Sequence, residues 1–248
     1  MKRHDAFTMT ELVVLVPVTA LVGALLLASL GDAQQKLKAA ACLNNMRQWG
    51  LALNLYANDY NDYWPYEGAQ GSSICAGSNS KAWYNVVPPY LHQPTLCQLY
   101  SATPPNPPTP FTKGIWTCPS VTNTSLSPGS LSVQNPYFMY NFNNRMDPNG
   151  PDQYKRSQLI SPTNTIVFAE GNEDPFPSTN GQYCPQRHFG GGNFVFGDGH
   201  ADYIKFQDYC RAGNPGCSSL ILESNATLSG DWNPHVKFHW FPFPSMPT

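Results

Sequence analysis

Between Leu12 and Leu30 the chain runs for 19 residues without a charge, and Glu11 stands directly before that run. A helix over it rises about 28 Å, close to the ~30 Å hydrocarbon core of a bilayer. The helical pattern continues past it. The stretch "DAQQKLKAAACLNNMRQWGLALNLYANDY" has no proline and no turn cluster before Asn58. Within it Cys42, Met46, Trp49, Leu53, Tyr56 and Tyr60 step by 4, 3, 4, 3 and 4, which is one helical stripe. The spacing predicts a helix from about Phe7 to Asn58, roughly 52 residues and 78 Å. A globular domain cannot bury such a rod, so its front half needs partners outside its own chain.

Of 248 residues, about 30 belong to this leader and apolar segment, which leaves room for one further domain of ordinary size. The 14 basic and 16 acidic residues give a net charge of −2 with no basic stripe, which argues against a nucleic-acid surface. Charged residues make up 12%, about half the usual share, and the 24 prolines are about twice theirs. Many fixed turns and a weakly charged surface suit an exported or assembled protein. Seven cysteines without a C-x-x-C pair argue against zinc ribbons and thioredoxin-like redox chemistry, and an odd number leaves at least one unpaired.

Lys2 and Arg3 precede the apolar run, an arrangement that keeps the N-terminus cytoplasmic and sends the body across the membrane. An ordinary signal peptide would have a shorter apolar core and small residues at a cleavage site after it. The stretch "AFTMTELVVLVPVTALVGALL" instead resembles the class III signal of type IV pilins and type II secretion pseudopilins: a short basic leader, a small residue, Phe-Thr-x-x-Glu and a greasy helix. The resemblance implies cleavage by a prepilin peptidase between Ala6 and Phe7. It also implies N-methylation of Phe7 and retention of the apolar segment. Ala6 stands where the family more commonly has glycine.

Glu11 would then be the fifth residue of the mature chain. A lone carboxylate near a membrane costs several kcal/mol or takes up a proton. The ammonium created at Phe7 of a neighbouring subunit can pair with it, and such a pair marks assembly register more than it adds stability. The simpler alternative is an acid favoured by the positive end of a helix. Pro17 removes one backbone bond and crowds the turn before it, and Gly23 follows. Together they predict a kink or locally opened helix around Val13–Gly23, as assembled filaments of the resembled family show.

Beyond Tyr60 the chain is turn-rich, and "SATPPNPPTPFTKG" (101–114) is a proline loop or polyproline II stretch. Strands are expected at Tyr137–Phe142, Thr165–Ala169, Phe194–Gly197 and His200–Phe206, the last two joined by an Asp198-Gly199 hairpin turn. One long helix followed by a few antiparallel strands reads as α+β, with the sheet packed on the second half of the helix. The order of "CLNNMRQWGLALNLYANDYNDYWP", "WTCPS", "YFMYN", "SPTNTIVFAEG" and "RHFGGGNFVFGDGH" resembles one pseudopilin-like family abundant in planctomycetes and verrucomicrobia. That family ends in a His, nine residues, Asp-Gly motif, here His188 and Asp198-Gly199. The resemblance thus divides the chain into leader 1–6, filament-core helix 7–30, second helix half 31–60 and a globular domain 61–248 whose tail, 207–248, has no counterpart in it.

His188, Asp198, His200 and Asp202 cluster in sequence and are candidate ligands for calcium or zinc, or an acid–base set; a metal would need them to converge. Pseudopilins can carry structural calcium near the end of the sheet. In the simpler reading Asp198-Gly199 makes the turn and His188 hydrogen-bonds to the hairpin backbone. No nucleophile elbow, P-loop, Rossmann pattern or H-E-x-x-H occurs, so an enzyme has no positive support. Cys210 and Cys217 enclose "RAGNPG", which can fold back into a disulfide, and Cys75–Cys97 is a second candidate pair. Cys42 and Cys118 either pair or fill core space as small apolar groups.

The expected function is a structural filament subunit, in a type IV pilus or a secretion pseudopilus. The family implies that it starts as a single-pass inner-membrane precursor and is assembled from copies of itself by a membrane platform and a cytoplasmic ATPase. The alternative is a membrane-anchored surface protein that binds a partner through its aromatic tail, Trp232, Trp240, Phe241 and Phe243.

Overall fold

The structure, a computed structural model, describes residues 8–109, 112–121, 131–146, 154–179, 186–209 and 238–240, apart from the side chains of 25–29 and 172–174. Its first element, α1 (Met9–Asp59), is one helix of 51 residues, about 77 Å long. Its start is written in Thr-x-x-Glu. The Glu11 N–H donates to Thr8 Oγ1 at 3.3 Å, and the Thr8 N–H donates to Glu11 Oε2 at 2.8 Å, a complete capping box. At the other end the Tyr60 N–H reaches back to Tyr56 O, and Asn61 and Asp62 take left-handed φ values of 54° and 72° that turn the chain away.

α1 stays helical through Pro17, so the locally opened helix expected at 13–23 is not a feature of the single chain. In the same turns the Thr19 hydroxyl lies within hydrogen-bond reach of the carbonyls of Leu15 and Val16. Among the described residues no helix is long and apolar enough to cross a membrane; the side chains of 25–29, inside the apolar run, are not among them.

Burial divides α1 sharply. Among the described side chains its first buried residue is Cys42, and from there Met46, Trp49, Leu53 and Tyr56 form the expected stripe, widened by Gly50, Ala52 and Ala57. Tyr60, the last residue of the expected stripe, is half exposed and stacks on Tyr56 with ring centroids 4.2 Å apart. Trp49 is the hub. It meets Trp83 and Trp116 edge-on at 5.5 and 5.1 Å, packs on Phe168 at 5.6 Å, and donates its indole N–H to Ile115 O at 3.0 Å. Trp83 enters from a short helix, α2 (Trp83–Val86); another, α3 (Leu96–Ser101), follows. Neither is expected from the sequence, because so short a helix carries no periodicity.

Five strands form the sheet: β1 (Phe138–Asn143), β2 (Ile166–Asp174), β3 (Ser178–Thr179), β4 (Gly191–Phe196) and β5 (Ala201–Lys205), in spatial order β3-β1-β2-β4-β5. The expectation of an antiparallel sheet needs correction. β1–β2, β2–β4 and β4–β5 are antiparallel, but β3 runs parallel to β1. After β2 the chain reverses through Pro175-Phe176-Pro177 and comes down on the far side of β1, so it opposes β2 and matches β1. Pro177 O accepts from the Phe142 N–H at 3.0 Å and from the Trp83 indole at 2.9 Å. Two residues are too few to show alternation in the sequence.

α1 lies on one face of the sheet, mainly against β4 and β5. Val167, Phe168 and Val195 join its core, and an irregularity in the β2–β4 register between Ile166 and Phe168 accompanies the placing of two consecutive β2 residues there. Phe194, Phe196 and Ile204 form a second cluster with Ile166 and Ala169. It is closed by Tyr209 of the terminal turn α4 (Phe206–Tyr209) and by Trp240, whose indole donates to Tyr209 O at 2.9 Å.

Two contacts fix the helix on the head. A Cβ at Gly50 would lie 2.4 Å from Gly199 O and 2.9 Å from Val195 Cγ1, so glycine permits the approach. Beyond it the Arg156 guanidinium donates to Asn54 and Asn58 on α1 and to Asp62 just past it, at 2.7, 2.8 and 3.0 Å. Gly50→Ala gains about 1 kcal/mol of helix propensity but overpacks the seam by up to ~3 kcal/mol, and we expect a net loss of about 2 kcal/mol in urea unfolding. Gly31→Ala, with no atom within 4 Å of the new Cβ, should lose nothing.

Partial burial raises the Asp62 pKa, but hydrogen bonds from Ser157 and the Arg156 charge outweigh it and hold the carboxyl below its ordinary value. A depressed folded pKa stabilises fully above the unfolded value of ~3.9, and the contribution is lost as pH falls through the folded value. Urea midpoints measured against pH should therefore fall more steeply below about pH 4 for the wild type than for Asp62→Asn.

Candidate functional site

Two features stand apart from ordinary core. The first is the free part of α1. From Met9 to Ala41, 33 residues or about 50 Å, no described side chain is buried. Leu12, Val13, Val14, Leu15, Val16 and Val18 are each about half exposed or more, and they point to every side of the helix. Six such residues in seven positions cannot be hidden by any single neighbour within the chain. An exposed apolar surface of this extent is of the kind that protein or membrane contacts cover. Glu11 at its tip is spent locally, with both Thr8 N and Thr8 Oγ1 at 2.8 Å from Oε2.

The second feature is a buried polar cluster where α1 meets the head. Cys42 of α1 is joined to Cys118 by a disulfide. Cys118 Sγ lies 3.6 Å from His188 Nε2, and the same nitrogen lies 2.8 Å from Glu170 Oε1. Glu170 sits in mid-β2 and is 1% exposed; His188 just before β4 is 2% exposed. Asn193 of β4 holds the carboxylate from the other side, its side-chain amide donating to Oε1 at 3.0 Å and its backbone N–H to Oε2 at 3.3 Å. Burial first, then the nearby Glu170 carboxylate, pushes the Tyr140 phenol well above its ordinary pKa. That hydroxyl accepts from Asn45 of α1 at 3.3 Å. One ligand-type atom from each of Cys42, Cys118, Glu170 and His188 lies within 4.8 Å of the others.

Local backbone explains how His188 gets there. His188 and Gly191 exchange backbone hydrogen bonds of 3.0 and 2.9 Å across a tight turn in which Phe189 and Gly190 have positive φ. A Cβ at Gly191 would lie 2.2 Å from Ile204 O and 2.7 Å from the Tyr203 ring, and Tyr203 in turn donates to Phe189 O at 3.1 Å. The glycines of "HFGGG" thus let the turn close flat against β5.

The four candidate ligands read from the sequence do not converge, which is a correction. His188 points to Glu170 at one end of β4. Asp198 and His200 lie past the other end of that strand, about 20 Å of extended chain away, where His200 Nδ1 meets Asp198 Oδ1 at 2.6 Å in an exposed pair. Asp202 is exposed, its carboxylate accepting from the Tyr203 N–H at 2.8 Å. Asp198-Gly199 makes the hairpin turn, with Gly199 at φ 90°, and this turn touches Gly50 of α1. The spacing between His188 and Asp198-Gly199 is therefore the length of one strand, pinned by a buried histidine at one end and by the helix at the other. Glu170 escaped the sequence reading although it carried a signal: an acid inside an apolar strand needs a buried partner.

A second disulfide joins Cys75 and Cys97. Ala6 and Phe7, the Cys210–Cys217 pair, Trp232, Phe241 and Phe243 lie outside the described residues. Trp240, the remaining tail aromatic, is core. The chain matches no protein-family model, no curated protein and no solved structure.

Glu170→Ala leaves the His188 ring and both Asn193 donors without their acceptor where water does not enter. We expect it to destabilise the fold by about 3 kcal/mol or more, with Glu170→Gln intermediate, as measured by urea unfolding.

Proposed function

We propose that the chain is a structural subunit of a filament of the type IV pilus or pseudopilus kind. It is not an enzyme in this reading. It is inserted in the bacterial inner membrane by its N-terminal helix with the tip cytoplasmic, cut before Phe7, and then stacked with copies of itself. The observation that carries this reading is the naked apolar half of α1, a rigid continuation of a helix whose other half is locked into the head. Burying an apolar side chain contributes about 1.5–3 kcal/mol, so sister helices packed around residues 7–30 gain on the order of 20 kcal/mol per subunit relative to water. That is ample to offset the ordering of two bodies.

Within such a filament Glu11 exchanges its capping contact with Thr8 for the ammonium of a neighbour's Phe7. Pro17 marks where neighbours could open the helix, since its missing N–H leaves one carbonyl free for another donor. The tail-binding alternative gains no support from Trp240, which is buried and hydrogen-bonded inside the head.

Material sheared from cells should contain filaments of this chain by electron microscopy, with N-methylated Phe7 as the first residue by mass spectrometry. Glu11→Ala should lower the filament yield several-fold while the precursor still reaches the membrane. A processed chain recovered only as a soluble monomer lacking residues 7–30 would overturn the reading.

A further inference from the structure

We propose that Cys42, Cys118, His188 and Glu170 form a Zn²⁺ site that opens when their disulfide is reduced, so that the same four side chains are either cross-linked or metal-bound. Two thiolates, an imidazole and a carboxylate are a donor set that zinc takes tetrahedrally, with Zn–S about 2.3 Å and Zn–N or Zn–O about 2.0–2.2 Å. In such a tetrahedron a sulfur and a nitrogen sit about 3.5 Å apart. Cys118 Sγ and His188 Nε2 already stand at 3.6 Å. The Glu170 Oε1 to Nε2 separation, 2.8 Å, has to widen by only about half an ångström.

The surroundings are those of a metal centre. All four residues are buried. Asn193 fixes the carboxylate with two donors, the outer hydrogen bonding that orients a ligating group. Two thiolates and a carboxylate leave a zinc ion one negative charge in excess. Arg187 supplies the balancing charge close by, with its guanidinium donating to Gly171 O, the residue after Glu170.

The interconversion balances. A dithiol reductant gives two electrons and two protons to the Cys42–Cys118 bond, which breaks into two thiols while the reductant closes into its own disulfide. Zn²⁺ then displaces the two thiol protons into solvent; His188 binds it through Nε2 as the neutral imidazole, its one ring proton carried on Nδ1, and no other group is consumed. Reoxidation by a disulfide expels the metal, since the sulfur pairs it shared are taken up in the S–S bond.

The test uses the full chain in detergent micelles, reduced with a phosphine and titrated with Co²⁺ as a spectroscopic substitute for zinc. The reduced protein should take up one equivalent with the thiolate-to-cobalt charge-transfer band and the intense visible bands of a tetrahedral site, and the oxidised protein should show neither. Cys42→Ser with Cys118→Ser should abolish both bands, whereas Cys75→Ser with Cys97→Ser should keep them. Asn193→Ala should weaken the affinity about tenfold. The near-ultraviolet circular dichroism of the tryptophan cluster reports folding in parallel. Bands that persist in the Cys42→Ser, Cys118→Ser variant overturn the proposal. So does a reduced chain that takes up no cobalt, whether it stays folded or loses its tryptophan signal and fails to regain it with Zn²⁺.

Discussion

The seam between the second half of α1 and the head is the contact on which the rest of the structure depends. Trp49 and Gly50 make it, one by bulk and one by its absence. Trp49 gathers four aromatic partners, Trp83, Trp116, Tyr140 and Phe168, and a backbone carbonyl into the space under the helix. Gly50, its neighbour, lets the helix backbone touch the turn at Gly199. Because adjacent helical residues differ by about 100°, the two act on neighbouring sectors of one face and fix both the height and the rotation of the rod. The sheet behind this seam is then closed from its other face by Tyr209 and Trp240, and β1 and β4 are buried along their whole length.

The two ends of β4 are held by different chemistry. At its start a buried imidazole–carboxylate pair links the turn of His188 to mid-β2. At its finish the Asp198-Gly199 turn rests on α1, and Asn54 in the next helical turn both bonds to Gly50 O and receives Arg156. A motif that reads as a possible ligand pair in one dimension is, in three, a pair of fasteners on one strand. The polar groups specify where that strand sits, a task that apolar packing alone performs loosely.

Elements with a long-range period were legible in the sequence. The helix, its buried stripe and the hairpin all follow from the spacing of Cys42 to Tyr56 and from Asp198-Gly199 between β-like runs. What stayed hidden lacks a period or joins distant segments. β3 has two residues, and α2 has one turn. β4 begins at Gly191, where glycine is a poor strand former but a Cβ would collide with Ile204 O and the Tyr203 ring. Glu170 and Cys118 find His188 across 18 and 70 residues of chain, and only the folded sheet brings them together.

The position of the Cys42–Cys118 link has a mechanical consequence. Among the described residues of the rod Cys42 is the first to be buried in the head, and it is there that the rod is bonded covalently to the rest of the chain. Tension drawn along the stalk therefore passes into the head through a strong bond at the point of exit, before it reaches the aromatic seam. The helix is protected from being peeled off turn by turn, and the head behaves as a bead welded to its wire.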